Sequence, residues 1–117
     1  MKLLIVDDSN IMRRAIEKYL SELDLEIIGT AGDGQTALEL FKEKLPDLVT
    51  LDITMPQMDG LECLKEILQI KPDTKVLIIS ALKDPATGMK AMQLGAKGFL
   101  AKPFSQDLLL EEIKHCL

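Results

Sequence analysis

Short apolar runs alternate regularly along this chain with longer segments in which apolar residues recur at helical spacing. Each run is rich in β-branched residues and bounded by Gly, Asp, Ser or Pro, which predicts a strand. The predicted strands are 2–6, 25–30, 47–51, 75–80 and 97–101. Strict alternation with helices requires right-handed crossovers and a parallel sheet that is covered on both faces. The prediction is therefore an α/β fold, a three-layer sandwich with a five-stranded parallel sheet and five helices.

The polarity of the runs predicts the strand order. A central strand of a parallel sheet is buried on both faces, whereas an edge strand can carry a charge. The first, third and fourth runs read LLIV, LVTL and VLII, while the second contains Glu26 and the fifth begins at Lys97. The predicted order is 2-1-3-4-5. In that order the chain reverses direction between strands one and three, and open α/β sheets bind ligands at such a switch point, beyond the carboxyl ends of the strands.

Helix starts and faces can also be predicted. In the first helix, the apolar positions 11, 15, 19 and 23 are expected to face the sheet, and the pair Arg13-Arg14 is interpreted as a solvated face. Side chains suited to cap helix N-termini precede four of the helical segments. They are Ser9, Asp59 together with Glu62, Asp84 and Ser105.

Length and composition limit the kinds of function that remain. The 117 residues suffice for a single domain, predicted here as 1–117, and 47% apolar with 28% charged residues is typical of a globular protein. Nineteen acidic against fourteen basic residues give a net charge of −5, which argues against sequence-independent binding to DNA or to an anionic membrane. Neither a signal peptide nor a membrane span is visible, and the two cysteines form no disulfide framework or metal motif. We expect a cytoplasmic protein.

Polar side chains follow four of the five predicted strands at their carboxyl ends. They are Asp7 and Asp8 after the first, Asp52 after the third, Ser80 at the end of the fourth and Lys102 after the fifth. Any one Asp has an ordinary explanation, since Asp is common in turns and at helix N-termini. Three carboxylates in one crevice, however, repel one another by about 4 kcal/mol per pair at 4 Å and an effective dielectric of 20. The cluster therefore predicts a bound cation.

A hard divalent ion such as Mg²⁺ suits these oxygen ligands, and the absence of nearby His or Cys disfavours zinc. Mg²⁺ keeps exchangeable waters that a phosphoryl group can replace, Lys102 can balance another phosphoryl oxygen, and Ser80 can donate to a third. A carboxylate can attack phosphorus and form an aspartyl phosphate, and Asp52, in the middle of the sheet, is the best placed. The residues thus predict phosphoryl chemistry.

Four motifs in order resemble the receiver domain of bacterial two-component response regulators. They are Asp7-Asp8, the DITMPQMDG segment at 52–60, Ser80-Ala81 and Lys102-Pro103-Phe104. The resemblance covers the whole chain and implies a flavodoxin-like fold. It is strongest to the stand-alone members that act in chemotaxis.

The resemblance implies a role for each site residue. Asp52 would be the phosphoacceptor, and the Mg²⁺ ligands would be Asp52, Asp8, Asp7 through water and the backbone carbonyl of Thr54. Lys102, ahead of a cis peptide bond to Pro103, would bind the phosphoryl group. Ser80 would be the switch hydroxyl and Phe99 the aromatic switch residue, although this position often carries Tyr in the family.

The same resemblance implies a signalling function. The domain would accept a phosphoryl group from a histidine kinase and catalyse only its own phosphorylation and dephosphorylation. It would therefore not be an enzyme that acts on external substrates. Its fourth helix, fifth strand and fifth helix would bind a partner such as a flagellar motor switch protein or a phosphatase, and we expect a monomer. A phosphorelay intermediate and the receiver of a multi-domain regulator are the alternatives within the family.

Two other classes share this fold or chemistry. A flavin- or nucleotide-binding module places a Gly- or Ser/Thr-rich loop after the first strand, where Asp7-Asp8 would repel phosphate. A Mg²⁺-dependent phosphatase with an Asp nucleophile carries a second Asp two residues later, where this chain has Thr54. Both classes are disfavoured.

Overall fold

The computed structural model describes residues 1–53, 60–81 and 85–117 of the chain. Strands and helices alternate as the sequence predicts, and each predicted strand agrees with an observed one to within one residue at either end. The elements are β1 (Lys2–Val6), α1 (Asn10–Tyr19), a 3₁₀ turn (Leu20–Glu22), β2 (Glu26–Ala31), α2 (Gly34–Lys44), β3 (Leu48–Leu51), α3 (Gly60–Ile70), β4 (Lys75–Ser80), α4 (Pro85–Leu94), β5 (Gly98–Ala101) and α5 (Gln106–Cys116).

The strands form one sheet in the order β2-β1-β3-β4-β5, and every neighbouring pair is parallel. This order confirms the prediction from polarity. The residues of β3 are all buried, as are those of β1 and β4 apart from the first residue of each, whereas β2 and β5 are partly exposed. Charged residues are therefore confined to the edges and strand ends, where their side chains reach solvent.

Side chains that alternate along the strands build two separate apolar cores, one on each face of the sheet. The first core joins the sheet to α2, α3 and α4 through residues such as Phe41, Leu64 and Ala91. The second joins it to α1 and α5 through Ile16 and Ile113, among others. Both cores consist largely of fully buried aliphatic and aromatic side chains, so the three-layer sandwich is held mainly by the hydrophobic effect.

The helix N-termini follow the predicted chemistry where the structure describes them. The hydroxyl oxygens of Ser9 and Ser105 each accept a backbone N–H in the first turn of α1 and α5, as predicted. Asp33 caps α2 in the same way, a cap that the sequence reasoning missed. The predicted caps at Asp59 and Asp84 lie outside the described residues.

The predicted sheet-facing stripe of the first helical segment is confirmed in part: Tyr19 and Leu23 pack against the second core, but Ile11 does not. Ile11 is 82% exposed, whereas Ile16 and Leu20 are almost fully buried. The predicted positions and the positions shifted by one residue both satisfy helical spacing. Ile16, which belongs to the shifted set, packs in the core with residues of β1. Within the described ranges, no helix is long and apolar enough to cross a membrane.

Candidate functional site

The polar residues predicted at the carboxyl edge of the sheet are held there by an extension of its hydrogen bonding. The Asp7 N–H donates to a β2 carbonyl at 2.9 Å, the Asp52 N–H to a β1 carbonyl at 3.0 Å and the Lys102 N–H to a β4 carbonyl at 2.9 Å. Each residue thus continues the ladder by one position beyond its strand. Their backbone positions are fixed by the rigid sheet rather than by loops.

The three acidic residues form one cluster at this edge. Asp7, Asp8 and Asp52 each offer a carboxylate oxygen, and these oxygens all lie within 4.8 Å of one another. Asp7 and Asp52 are only 1% and 2% exposed. Asp8 is exposed and forms the open side of the cluster. Like charges at this separation, two of them buried, need a compensating cation.

Lys102 supplies part of that compensation. Its ammonium nitrogen lies 2.8 Å from Asp7 Oδ2 and 3.2 Å from Asp52 Oδ2, with only 15% of the lysine side chain exposed. The peptide bond from Lys102 to Pro103 is cis, as the resemblance implies. One ammonium against three carboxylates leaves two negative charges in the cluster.

The pKa values of two groups in the cluster are raised. The shift disfavours the charged form of Asp7 and favours the charged form of Lys102. Burial raises the pKa of Asp7, because the hydrogen bonds that its carboxylate accepts from Lys102 and the Ser9 N–H only partly offset the loss of solvent. Burial also disfavours the charged form of Lys102, but the hydrogen bond to Asp7 and the charge of Asp52 outweigh it and raise the pKa of Lys102. Lys102 is therefore favoured in its charged form, whereas burial disfavours the charged form of Asp7.

The donor set of this cluster fits Mg²⁺. Carboxylate oxygens are the ligands that this ion prefers, and the exposed side at Asp8 leaves room for water and for a phosphoryl oxygen. The residues that would hold the ion are Asp7, Asp8 and Asp52. Thr54, whose backbone carbonyl is the remaining predicted ligand, lies outside the described residues.

Ser80 and Phe99 lie on the same face of the sheet. Ser80 is fully buried at the end of β4. Phe99 pairs with Ile78 in the β4–β5 register, so it points to the same face as Ser80, and its half-buried ring packs against α4 at Gly88. A methyl group added at Gly88 would lie 3.4 Å from the ring. The structure thus brings the predicted switch pair to one face, next to α4.

Sequence reasoning missed one residue of the site, Arg13. The Arg13 guanidinium donates to the backbone carbonyl of Asp7 and to the Asn10 side chain, and it is half-buried rather than solvated. The interpretation of Arg13-Arg14 as a solvated face is therefore correct for the exposed Arg14 alone. Helical side chains lean toward the helix N-terminus, so an Arg in the first turns of α1 can reach back over the preceding loop, but this applies equally to Arg13 and Arg14.

Comparison with known proteins agrees with this geometry. Residues 3–114 match the family described as the response regulator receiver domain. The chain is 44% identical over 116 residues to the chemotaxis protein CheY of Bacillus subtilis, covering 99% of this chain and 97% of that protein. It is also 40% identical to a protein-glutamate methylesterase/protein-glutamine glutaminase of Halalkalibacterium halodurans, of which it covers only 36%.

A solved structure shows the same architecture. The CheX-CheY-BeF₃-Mg complex from Borrelia burgdorferi contains a chain that superposes with a TM-score of 0.93 at 36% identity, covering 97% of this chain and 86% of that one. The fold and its strand order are thus those of CheY-like receiver domains.

Proposed function

The chain belongs to the response regulator receiver family, and from this premise we propose that it is a phosphorylation-activated switch with Asp52 as the phosphoacceptor. Members of this family that resemble CheY are signalling switches that bind Mg²⁺ at an acidic pocket. The observation that carries the proposal is the convergence of Asp7, Asp8 and Asp52 within 4.8 Å, with the Lys102 ammonium between two of them. No other described group of His, Cys, Asp and Glu side chains is arranged in this way.

The proposed reaction is an in-line transfer from a phosphohistidine of a histidine kinase. A carboxylate oxygen of Asp52 attacks phosphorus, a P–O bond forms, the P–N bond breaks and the histidine nitrogen takes the electron pair. Asp52 is suited to this role because it is nearly fully buried and its backbone is held by the central strands. The product is an aspartyl phosphate, a mixed anhydride.

Charge balance assigns roles to the neighbours of Asp52. Mg²⁺, bound by Asp7, Asp8 and Asp52, would neutralise charge on the phosphoryl oxygens. Lys102, 3.2 Å from the Asp52 carboxylate, would exchange part of that ion pair for a contact with the phosphoryl group. Phosphorylation replaces one carboxylate charge with about two negative charges, so the demand for this ammonium increases. The backbone carbonyl of Thr54 remains a proposed further ligand.

The change at Asp52 would be transmitted by Ser80 and Phe99. Ser80 ends the strand beside Asp52 and would donate its hydroxyl hydrogen to a phosphoryl oxygen. Its movement would open space on the face that it shares with Phe99, whose ring would then turn inward from its half-buried position against α4. Since Phe has no hydroxyl, the outward and inward states would differ mainly in buried apolar area.

The surface of α4, β5 and α5 is the proposed output region. Met89 and Met92 on α4 are 63% and 45% exposed, and methionine adapts readily to apolar partner surfaces. We propose a histidine kinase as the phosphate donor and a flagellar motor switch protein or a phosphatase as the reader, with the pathway being chemotaxis. We further propose that the domain, residues 1–117, acts in the cytoplasm as a monomer.

The direct test is mass spectrometry after incubation with acetyl phosphate and MgCl₂. We expect the gain of one phosphoryl group, and borohydride reduction of the aspartyl phosphate should release phosphate and convert Asp52 to homoserine. The Asp52→Asn variant should gain none, whereas Asp73→Asn, an identical change at an exposed Asp on the opposite edge of the sheet, should behave as the wild type. A labile phosphate on the Asp52→Asn variant would refute the assignment.

A second candidate within the family is a receiver that regulates a larger protein. The match to a methylesterase, of which this chain covers 36%, shows that related receivers occur within longer chains. A phosphorelay intermediate is the third. Incubating the phosphorylated domain with a histidine phosphotransfer domain distinguishes it, because a relay intermediate passes the phosphoryl group on while a terminal switch retains it.

A further inference from the structure

Among the described residues, Arg13 is a charged residue beside the acidic cluster that the proposed function does not use. It lies in the first turns of α1, and its guanidinium reaches back to donate to the Asp7 carbonyl oxygen and to Asn10 Oδ1. The guanidinium also lies on Gly32 in the β2–α2 loop, where an added methyl group would be 3.0 Å from Nη1. Arg13 therefore links the loop after β1, the start of α1 and the loop after β2.

The carbonyl that Arg13 holds belongs to the peptide unit between Asp7 and Asp8. Because a peptide unit is planar, fixing its oxygen also fixes the direction of the Asp8 N–H and the position of the Asp8 Cα atom. Asp7 has other restraints, since its carboxylate accepts hydrogen bonds from Lys102 and from the Ser9 N–H. In the described part of the chain the exposed Asp8 carboxylate makes no such bond, so its placement depends on its backbone.

We propose that Arg13 is a positioning residue for the Mg²⁺ site, which orients Asp8 through the Asp7 carbonyl without contacting the ion. This inference rests on the proposed function, because it assumes that Asp8 is a ligand. Groups that orient metal ligands from outside the coordination sphere commonly change metal affinity by tenfold or more when they are removed.

The positive charge of Arg13 predicts the opposite effect on Mg²⁺ affinity, so an experiment can distinguish a charge effect from a positioning effect. A cation next to a cation site disfavours Mg²⁺, so if only charge mattered, removal of Arg13 would strengthen Mg²⁺ binding. Removal of the positioning contact would weaken it. The neighbouring Arg14 provides the matched control, because it lies on the same turn and carries the same charge but is exposed to solvent.

The test is a titration of Arg13→Gln, Arg14→Gln and the wild type with MgCl₂, in which the ¹H–¹⁵N NMR signal of the Asp8 amide reports Mg²⁺ binding. We expect Arg13→Gln to weaken Mg²⁺ affinity by about tenfold, and Arg14→Gln to stay within about twofold of the wild type because its charge is screened. Urea unfolding in EDTA reports the stability of the fold independently of the ion. Equal affinities of the two Gln variants, or tighter binding by Arg13→Gln, would overturn the inference.

Arg13→Lys keeps the charge but can offer only one point donor to the Asp7 carbonyl. It should bind Mg²⁺ with an affinity between those of Arg13→Gln and the wild type, and it decides the matter if Arg13→Gln does not fold. Wild-type affinity in Arg13→Lys would count against the inference, because the guanidinium contact with the Asp7 carbonyl would then not be needed. Failure of the wild type itself to bind Mg²⁺ would instead refute the proposed function, so the two failures are distinguishable.

Discussion

Replacement of Lys102 by Met tests the electrostatics of the site most directly. At an effective dielectric of 20, the contacts of its ammonium at 2.8 and 3.2 Å correspond to attractions of about 6 and 5 kcal/mol. The carboxylates of Asp7 and Asp52, within 4.8 Å of each other, repel by about 3.5 kcal/mol on the same scale. Removing the lysine leaves that repulsion in a buried site. Because the substitution also removes the cost of desolvating the ammonium, and Asp7 can take up a proton, the net loss of unfolding free energy should be about 3 kcal/mol.

The assay is urea unfolding at pH 7, in EDTA and again in MgCl₂. We expect Lys102→Met to lose about 3 kcal/mol of unfolding free energy in EDTA, and Mg²⁺ to restore more stability to this variant than it adds to the wild type. The reason is that the ion and the ammonium neutralise the same carboxylates. Lys65→Met, at an exposed position of α3, is the matched control and should change stability little.

The pH dependence of the same difference follows from the raised pKa of Lys102. A lysine whose folded pKa lies above its ordinary value of 10.5 contributes stability that is complete below that value and is lost as pH rises through the folded pKa. The stability gap between wild type and Lys102→Met in EDTA should thus be present at pH 9 and shrink above about 10.5. An unchanged stability in EDTA, or equal gains from Mg²⁺ in both proteins, would refute this reasoning.

Further predictions concern the frame around the site, each measured by urea unfolding. Asp33→Ala should cost about 1 kcal/mol at pH 7 by removing the α2 cap; because the Thr36 N–H lowers the pKa of Asp33, the cost should fade as pH drops below the ordinary value of 3.8. Thr50→Val should stabilise by about 1 kcal/mol, since the Thr50 hydroxyl is buried with no partner among the described residues. Gly60→Ala should destabilise by about 3 kcal/mol, because its methyl group would lie 2.3 Å from Ile53 Cα, and should also reduce phosphorylation. Stabilities equal to the wild type would contradict each.

The fold and most of the site were predictable because both depend on local patterns. Apolar runs bounded by turn residues mark the strands, and polarity separates central strands from edges. The carboxyl ends of parallel strands meet at one edge, so Asp7, Asp52 and Lys102 could be brought together from the order of the strands alone. The observed distances confirm the clustering, since Lys102 Nζ lies 2.8 Å from Asp7 Oδ2.

Two features could not be predicted in this way, the buried face of α1 and the role of Arg13. Positions 11 and 15 fit helical periodicity as well as 12 and 16 do, and only packing against the sheet exposes Ile11 and buries Ile16. Arg13 and Arg14 are equivalent in the sequence. The rotation of the helix sends one guanidinium to the Asp7 carbonyl and the other to solvent.

The α/β alternation, the strand order and the set of residues at the carboxyl edge can all be read from the sequence, since these follow from burial and from the direction of parallel strands. The pairing of the charges depends on three-dimensional packing, which places Lys102 between Asp7 and Asp52 and Arg13 behind the Asp7 peptide. Which partner a long side chain contacts depends on small differences in the distances between its end group and the neighbouring polar atoms. Such distances are set by how the helices rotate and pack on the sheet, which hydrophobic periodicity leaves open.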